Sequence, residues 1–126
     1  REEMQKAMES GCGIYRDRAT MEATCQTLRK LRERFAHIGL SDRDAVFNTE
    51  LTAALEVDYQ LDVAEAVAHS ALKREESRGS HTRTDFPKRD DARYLKHSLA
   101  YRTPDGPRID YLPVTITRWP PEERKY

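Results

Sequence analysis

Five residues, Arg78, His81, Arg83, Asp85 and Arg89, stand close together in the stretch KREESRGSHTRTDFPKRDD, positions 73–91, and their types suit the chemistry of charge recognition. A guanidinium fork grips a carboxylate with two parallel hydrogen bonds, and Gly79 is able to turn the chain between Arg78 and His81. Such a grouping serves either as an anion site for a substrate or as an internal network that fixes or docks the chain. Lys73, Arg74, Arg78, Arg83, Lys88, Arg89 and Arg93 face Glu75, Glu76, Asp85, Asp90 and Asp91 within residues 73–93. This near balance favours a structural or docking network, because a phosphate-binding run carries a larger basic excess. A solvated linker is the plainest alternative. Perturbed charges are not confined to functional sites, so the structural network is placed ahead of the anion site.

Other chemistry is sparse. No glycine-rich phosphate fingerprint, GxSxG, HExxH or paired CxxC occurs. His37, His69, His81 and His97 are scattered, and His69 has no second ligand at i+3 or i+4, so it reads as a satisfied histidine and not a metal ligand. Cys12 and Cys25 have neither zinc-finger nor redox-pair spacing and read as buried thiols. The sequence therefore predicts no catalytic, cofactor-binding or metal-binding residue within these positions.

The elements that must position the charged stretch follow from length and periodicity. At 126 residues with 37% hydrophobic and 35% charged content and zero net charge, the chain suits one domain and does not suit a nucleic-acid binder. A mean hydropathy of −0.89 calls for a narrow core, as in a bundle whose helices each carry one apolar stripe. No run approaches a membrane span, and the start lacks a signal pattern. The chain opens at Arg1 inside helix-like sequence, which reads as a piece of a longer protein.

Helices are predicted near 2–10, 18–37 and 48–76. Met4, Ala7 and Met8 stripe the first, which GCG at 11–13 should stop; Met21, Leu28, Leu31 and Phe35 stripe the second, which Gly39 should end. Asn48 should cap the third, with Phe47 stapled onto Leu51 or Thr52, and its many alanines place it at the centre of an up-and-down bundle. Two alternating runs around Asp105-Gly106 predict a β-hairpin with strands near 95–101 and 108–114. The fold class is thus mainly α: a three-helix bundle over 1–78, a charged hinge over 79–93, and a hairpin with an extended tail over 94–126. The aromatic residues Tyr94, Tyr101, Tyr111, Trp119 and Tyr126 exceed what a two-stranded ribbon covers, so the hairpin and tail are the expected docking face.

The strings ESRGSHTRTDFPKRDD, FNTEL, GCGIYR and LKHSLAY, with the hairpin and a terminal ERKY, together resemble the C-terminal domain of the succinate dehydrogenase/fumarate reductase flavoprotein subunit, over essentially the whole chain. L-aspartate oxidases share the core of Glu76, Ser77, Arg78, Gly79 and His81 but lack the hairpin and tail. Ser80 departs from the alanine usual in the larger family. The resemblance implies a spectrin-repeat-like bundle with a β-extension, joined to FAD-binding and capping domains and packed against an iron-sulfur subunit. It also implies that FAD and the catalytic groups lie in those other domains, and that the parent complex sits at the inner, cytoplasmic face of the cell membrane. The alternatives are a free-standing interaction module and an aspartate oxidase domain.

Overall fold

The structure, a computed structural model, describes residues 1–122. Three helices form the body: α1 (Glu2–Cys12), α2 (Arg18–Phe35) and α3 (Thr49–Lys73). Met4, Cys25, Leu28, Leu61, Ala64 and Ala68 make its core, so each helix contributes one narrow stripe. The direction of the helices is fixed by ion pairs at their ends. Arg34, late in α2, reaches Glu3 at the start of α1, and Arg18, at the start of α2, pairs with Glu75 just past α3. The bundle is therefore up-down-up, with α1 and α3 parallel, in contact with each other through Met4, and both packed on α2.

The α1–α2 contact is closer than the sequence pattern suggests. Gly11 does not stop α1; it lies buried within its last turn, where a Cβ would stand 1.9 Å from Thr24 Oγ1 and 2.8 Å from the Thr20 carbonyl. The Thr24 hydroxyl lies within bonding distance of the Ala7 carbonyl (3.1 Å) and of the Thr20 carbonyl in its own helix (3.0 Å), so the two helices meet through a hydroxyl and a missing side chain.

Asp17 caps α2 by accepting from the Thr20 N–H, and the helix ends at Phe35, ahead of Gly39, in a tightened turn in which His37 and Ile38 donate to the Arg34 and Phe35 carbonyls. Asn48 caps α3 as expected, accepting from the Leu51 N–H at 2.7 Å. Glu50 reaches back to the N–H groups of Ser41 and Asp42. The expected staple from Phe47 does not form: that residue takes φ +56° and is 94% exposed. Nor is α3 the centre of the bundle. Leu61, Ala64, Ala68 and Ala71 are buried against its neighbours, while its opposite side is open.

Three short elements, two of them beyond Lys73, were not evident in the sequence. Strand β1 (Tyr15–Arg16) pairs in parallel with β2 (Thr82–Arg83), and a single turn, α4 (Asp91–Tyr94), is capped by Asp90. Two-residue strands carry too little pattern to be read from periodicity. The hairpin forms where expected: β3 (Lys96–Tyr101) and β4 (Arg108–Pro113) pair antiparallel from Tyr101↔Arg108 to Lys96↔Pro113. Gly106 takes φ +107° in the turn. Mainly helical architecture with a C-terminal hairpin is thus what the chain adopts, with α3 ending three residues before the expected position 76.

Candidate functional site

The last turn of α3 is where the charged stretch closes on the bundle. A helix leaves four terminal carbonyls without intrahelical donors, and α3 has no glycine cap to satisfy them. Each is reached instead by a named donor. Arg74 N–H serves the Ser70 and Ala71 carbonyls, and Arg83 Nη1 spans those of Ala71, Leu72 and Arg74 at 3.4, 3.3 and 3.2 Å. The phenols of Tyr94 and Tyr111 both donate to the Lys73 carbonyl, at 3.3 and 3.2 Å. His81 adds its ring to the Arg74 carbonyl at 3.0 Å. A cation placed at this end also matches the negative pole of the helix.

Two ionic groups meet here. The first is built on Arg83, a fully buried cation stacked 4.9 Å over the Phe86 ring. Its Nε and Nη2 fork onto Asp85 at 2.7 and 2.6 Å. Asp85 in turn accepts the backbone N–H of Arg18, the first residue of α2, at 3.0 Å. The Arg83 fork holds the Asp85 carboxyl down at about 2. Ser77 locks the loop, accepting from Arg83 N–H and donating to the Phe86 carbonyl.

The second group is built on Glu76, also fully buried. It accepts from Arg78 (2.8 and 3.0 Å), from the Asp90 N–H (2.8 Å) and from Arg74. Burial pushes this carboxyl up, but the bonds from Arg78, Asp90 and Arg74 outweigh it and hold the group below its ordinary range. Arg78 continues to Asp91 at 2.6 Å, and Asp91 also binds Arg89 at 2.9 Å. Arg74 extends the group to the hairpin through the carbonyls of Tyr94 and Lys96.

Between Arg78 and His81 the chain folds back in a two-residue turn, with each residue's N–H donating to the other's carbonyl at 2.9 and 3.0 Å. Gly79 takes φ +59° at the first central position, where a side chain would be strained. The turn aims His81 Nδ1 at Arg16 Nη1, 2.9 Å away. A guanidinium has no lone pair to offer, so Nδ1 is the acceptor and Nε2 carries the proton given to the Arg74 carbonyl. His81 is therefore neutral. Burial, with Arg16, Arg83 and Arg74 nearby, pulls its pKa below the usual histidine value against the opposing bond to the Arg74 carbonyl.

All five residues singled out in the sequence thus lie around one helix end. Arg78 and Arg89 share Asp91, Arg83 and His81 share the Arg74 carbonyl, and Asp85 links this end to α2. The sequence names Glu76 as a nearby carboxylate and, with Ser77, as part of the core shared with L-aspartate oxidases, but marks neither of them, nor Arg16, Arg74 or Asp91, as a network residue. For Arg16, 65 residues from His81, no local spacing could have supplied the signal.

A larger open cleft, about 960 Å³, lies between α2, α3 and the hairpin turn. Its most enclosed cation, Arg32, is already bound by Asp58, Asp62 and Glu65 at 2.7, 2.5 and 2.9 Å. His69 borders the same cleft, with its pKa lowered by burial. Among the described residues no three His, Cys, Asp or Glu side chains gather in a metal-holding arrangement, and no buried side-chain N or O lacks a partner. The site is internally satisfied: its arginines turn their donors onto protein oxygens and, for Arg16, onto the His81 ring.

Comparison with known proteins agrees with this architecture. The family described as fumarate reductase flavoprotein C-term matches residues 1–126. The chain is 56% identical to a fumarate reductase flavoprotein subunit of Mycobacterium tuberculosis, covering 100% of this chain and 22% of the relative. It is 42% identical to a succinate dehydrogenase flavoprotein subunit of Coxiella burnetii, over 92% of this chain and 19% of the relative. A solved Escherichia coli quinol fumarate reductase superposes with a TM-score of 0.92 at 46% identity, covering 97% of this chain and 21% of that chain. The chain thus spans about a fifth of the length of these relatives. The aspartate oxidase alternative is not supported by these matches, and the hairpin expected to distinguish it is present.

Proposed function

Since the chain belongs to the family of fumarate reductase and succinate dehydrogenase flavoprotein C-terminal domains, we propose that it is the architectural part of an FAD-dependent subunit that interconverts succinate and fumarate. Its role is to pack on the FAD-binding and capping domains and to help seat an iron-sulfur subunit. FAD and the dicarboxylate are held by the other domains, and the chain alone turns over nothing. The assembled enzyme works at the inner, cytoplasmic face of the cell membrane; no described helix here is long and apolar enough to cross one.

The observation that carries the architectural reading is the saturation of the charged cluster. A dicarboxylate site presents guanidinium donors to an open cavity. Here Arg74, Arg78 and Arg83 turn theirs onto Glu76, Asp85, Asp91 and the α3 carbonyls. Binding an external anion at this point would first break those bonds.

The test compares the full-length subunit with residues 1–126. The full-length subunit should purify with bound flavin and oxidise succinate with an artificial acceptor or reduce fumarate with an artificial donor. Residues 1–126 should be colourless and inactive. A full-length subunit without flavin would refute the enzymatic reading, and a yellow 1–126 chain the purely architectural one.

A further inference from the structure

The open side of α3 carries Leu51, Leu55, Tyr59, Val63 and Val67, which are 43–66% exposed. Successive members are four residues apart, so they form one continuous i+4 ridge that winds along the outer surface of the helix. With Leu61, Ala64, Ala68 and Ala71 buried on the other side, α3 carries apolar residues on two sides, separated by the charged stripe of Asp58, Asp62 and Glu65 that binds Arg32. A surface helix ordinarily needs one apolar stripe to face its core, so the second apolar side calls for a cover of its own. Beside the ridge runs a groove of about 370 Å³ floored by Met4 and Met8 of α1. A run of five large apolar side chains flanked by such a groove exceeds the scattered exposure normal for a free surface.

Resting on the family reading above, we propose that this ridge is a face through which the domain docks, covered by an apolar surface of the same subunit from outside residues 1–126. Of the hairpin and tail aromatics, Tyr94 is buried and Tyr111 is half-buried with its phenol on α3, while Tyr101 and Trp119 stay exposed and Tyr126 lies outside the described residues, so the ridge adds to the exposed apolar surface expected there. The choice of a covering segment in cis follows from length. The matched region makes up about a fifth of each relative, so in them the counterpart of α3 is tethered to far more chain than it contains. A tethered surface is present at high effective concentration, whereas a second copy must be met by diffusion.

The test uses the full-length subunit. Tyr59→Cys and Val63→Cys are introduced singly, beside Lys30→Cys on the exposed side of α2, and maleimide labelling is followed at each position by peptide mass. Labelling at positions 59 and 63 should be about ten-fold or more slower than at 30, since it requires the docked face to open. Equal rates in a subunit that retains flavin would overturn the docking face and leave the family reading intact. A wild-type full-length subunit that lacks flavin would overturn the family reading itself. A disulfide joining two subunits through Val63→Cys would assign the ridge to a second copy and overturn the proposal.

Discussion

Arg83 and Asp85 hold the ends of two helices with one ion pair. The guanidinium lies against the carbonyls that end α3, and the carboxylate it grips accepts the first N–H of α2. Cation and anion thus each sit at the helix pole that favours them. The pair is two residues apart in sequence yet joins the start of α2, 67 residues before Asp85, to the end of α3.

Arg83→Ala should be among the most damaging single changes in the chain. It takes the fork away from the partly exposed Asp85 and uncaps α3, where a buried carbonyl left without a donor costs about 1–3 kcal/mol. Arg83→Lys should recover little of this, because an ammonium does not reproduce the fork. Arg29→Ala, which removes an exposed pair with Glu33, should cost under about 1 kcal/mol. Urea midpoints for the three variants test the order.

Acid stability should reflect Glu76 and Asp85. Both carboxyls have folded pKa values below their ordinary ones, so the stability they contribute is present above the unfolded carboxylate range and lost as pH falls through the folded values, near 2 for Asp85. In Asp85→Asn the midpoint should therefore fall less steeply below pH ~4 than in the wild type. Thermal melts across that window check the slope; an unchanged slope would show that Asp85 is not the group being titrated.

His81 shifts in the same direction for the opposite reason, since it is the neutral ring that the fold favours. Its contribution is present above the unfolded histidine value of ~6.5 and lost as pH falls through the lowered folded value. Protonation also places Nδ1–H against the Arg16 guanidinium. Nitrogen NMR of the ring at neutral pH should show the proton on Nε2, and a signal from the Nδ1–H form would disprove the assignment.

Gly11→Ala should destabilise the α1–α2 contact by about 1–3 kcal/mol, as overpacking does. Combining it with Thr24→Ala should restore only part of this loss, because the Thr20 carbonyl would still lie 2.8 Å from the new Cβ. Full recovery in a calorimetric comparison of the single and double variants would mean that the backbone moves apart freely.

The helices and hairpin were legible because their signals are local: Asn48 caps, Met4 and Leu28 stripe, and Asp105-Gly106 turns. The charged cluster was legible in its members but not in its wiring. Gly79 and the arginines announced a turn and a network, while Glu76 gave no sign that it, and not Glu75, would be the buried acceptor. The pairing of Arg16 with His81 and of Tyr111 with Lys73 spans 65 and 38 residues, distances at which periodicity carries no information. The outer side of α3 was misread for a related reason: its alanines suggested close neighbours all round, whereas the neighbours present here cover one side.

The carbonyl of Lys73 also sets an order of events during synthesis. Its second phenol donor, Tyr111, lies 38 residues further along the chain. At the ribosome's pace of about 5–20 residues per second, it is made roughly 2–8 s after the helix end it serves. During that interval the last turn of α3 must depend on water and on whichever of Arg83 and Tyr94 has already been added. A released chain that ends between Tyr94 and Tyr111 should therefore present a frayed helix end, open to proteases, that the finished hairpin closes.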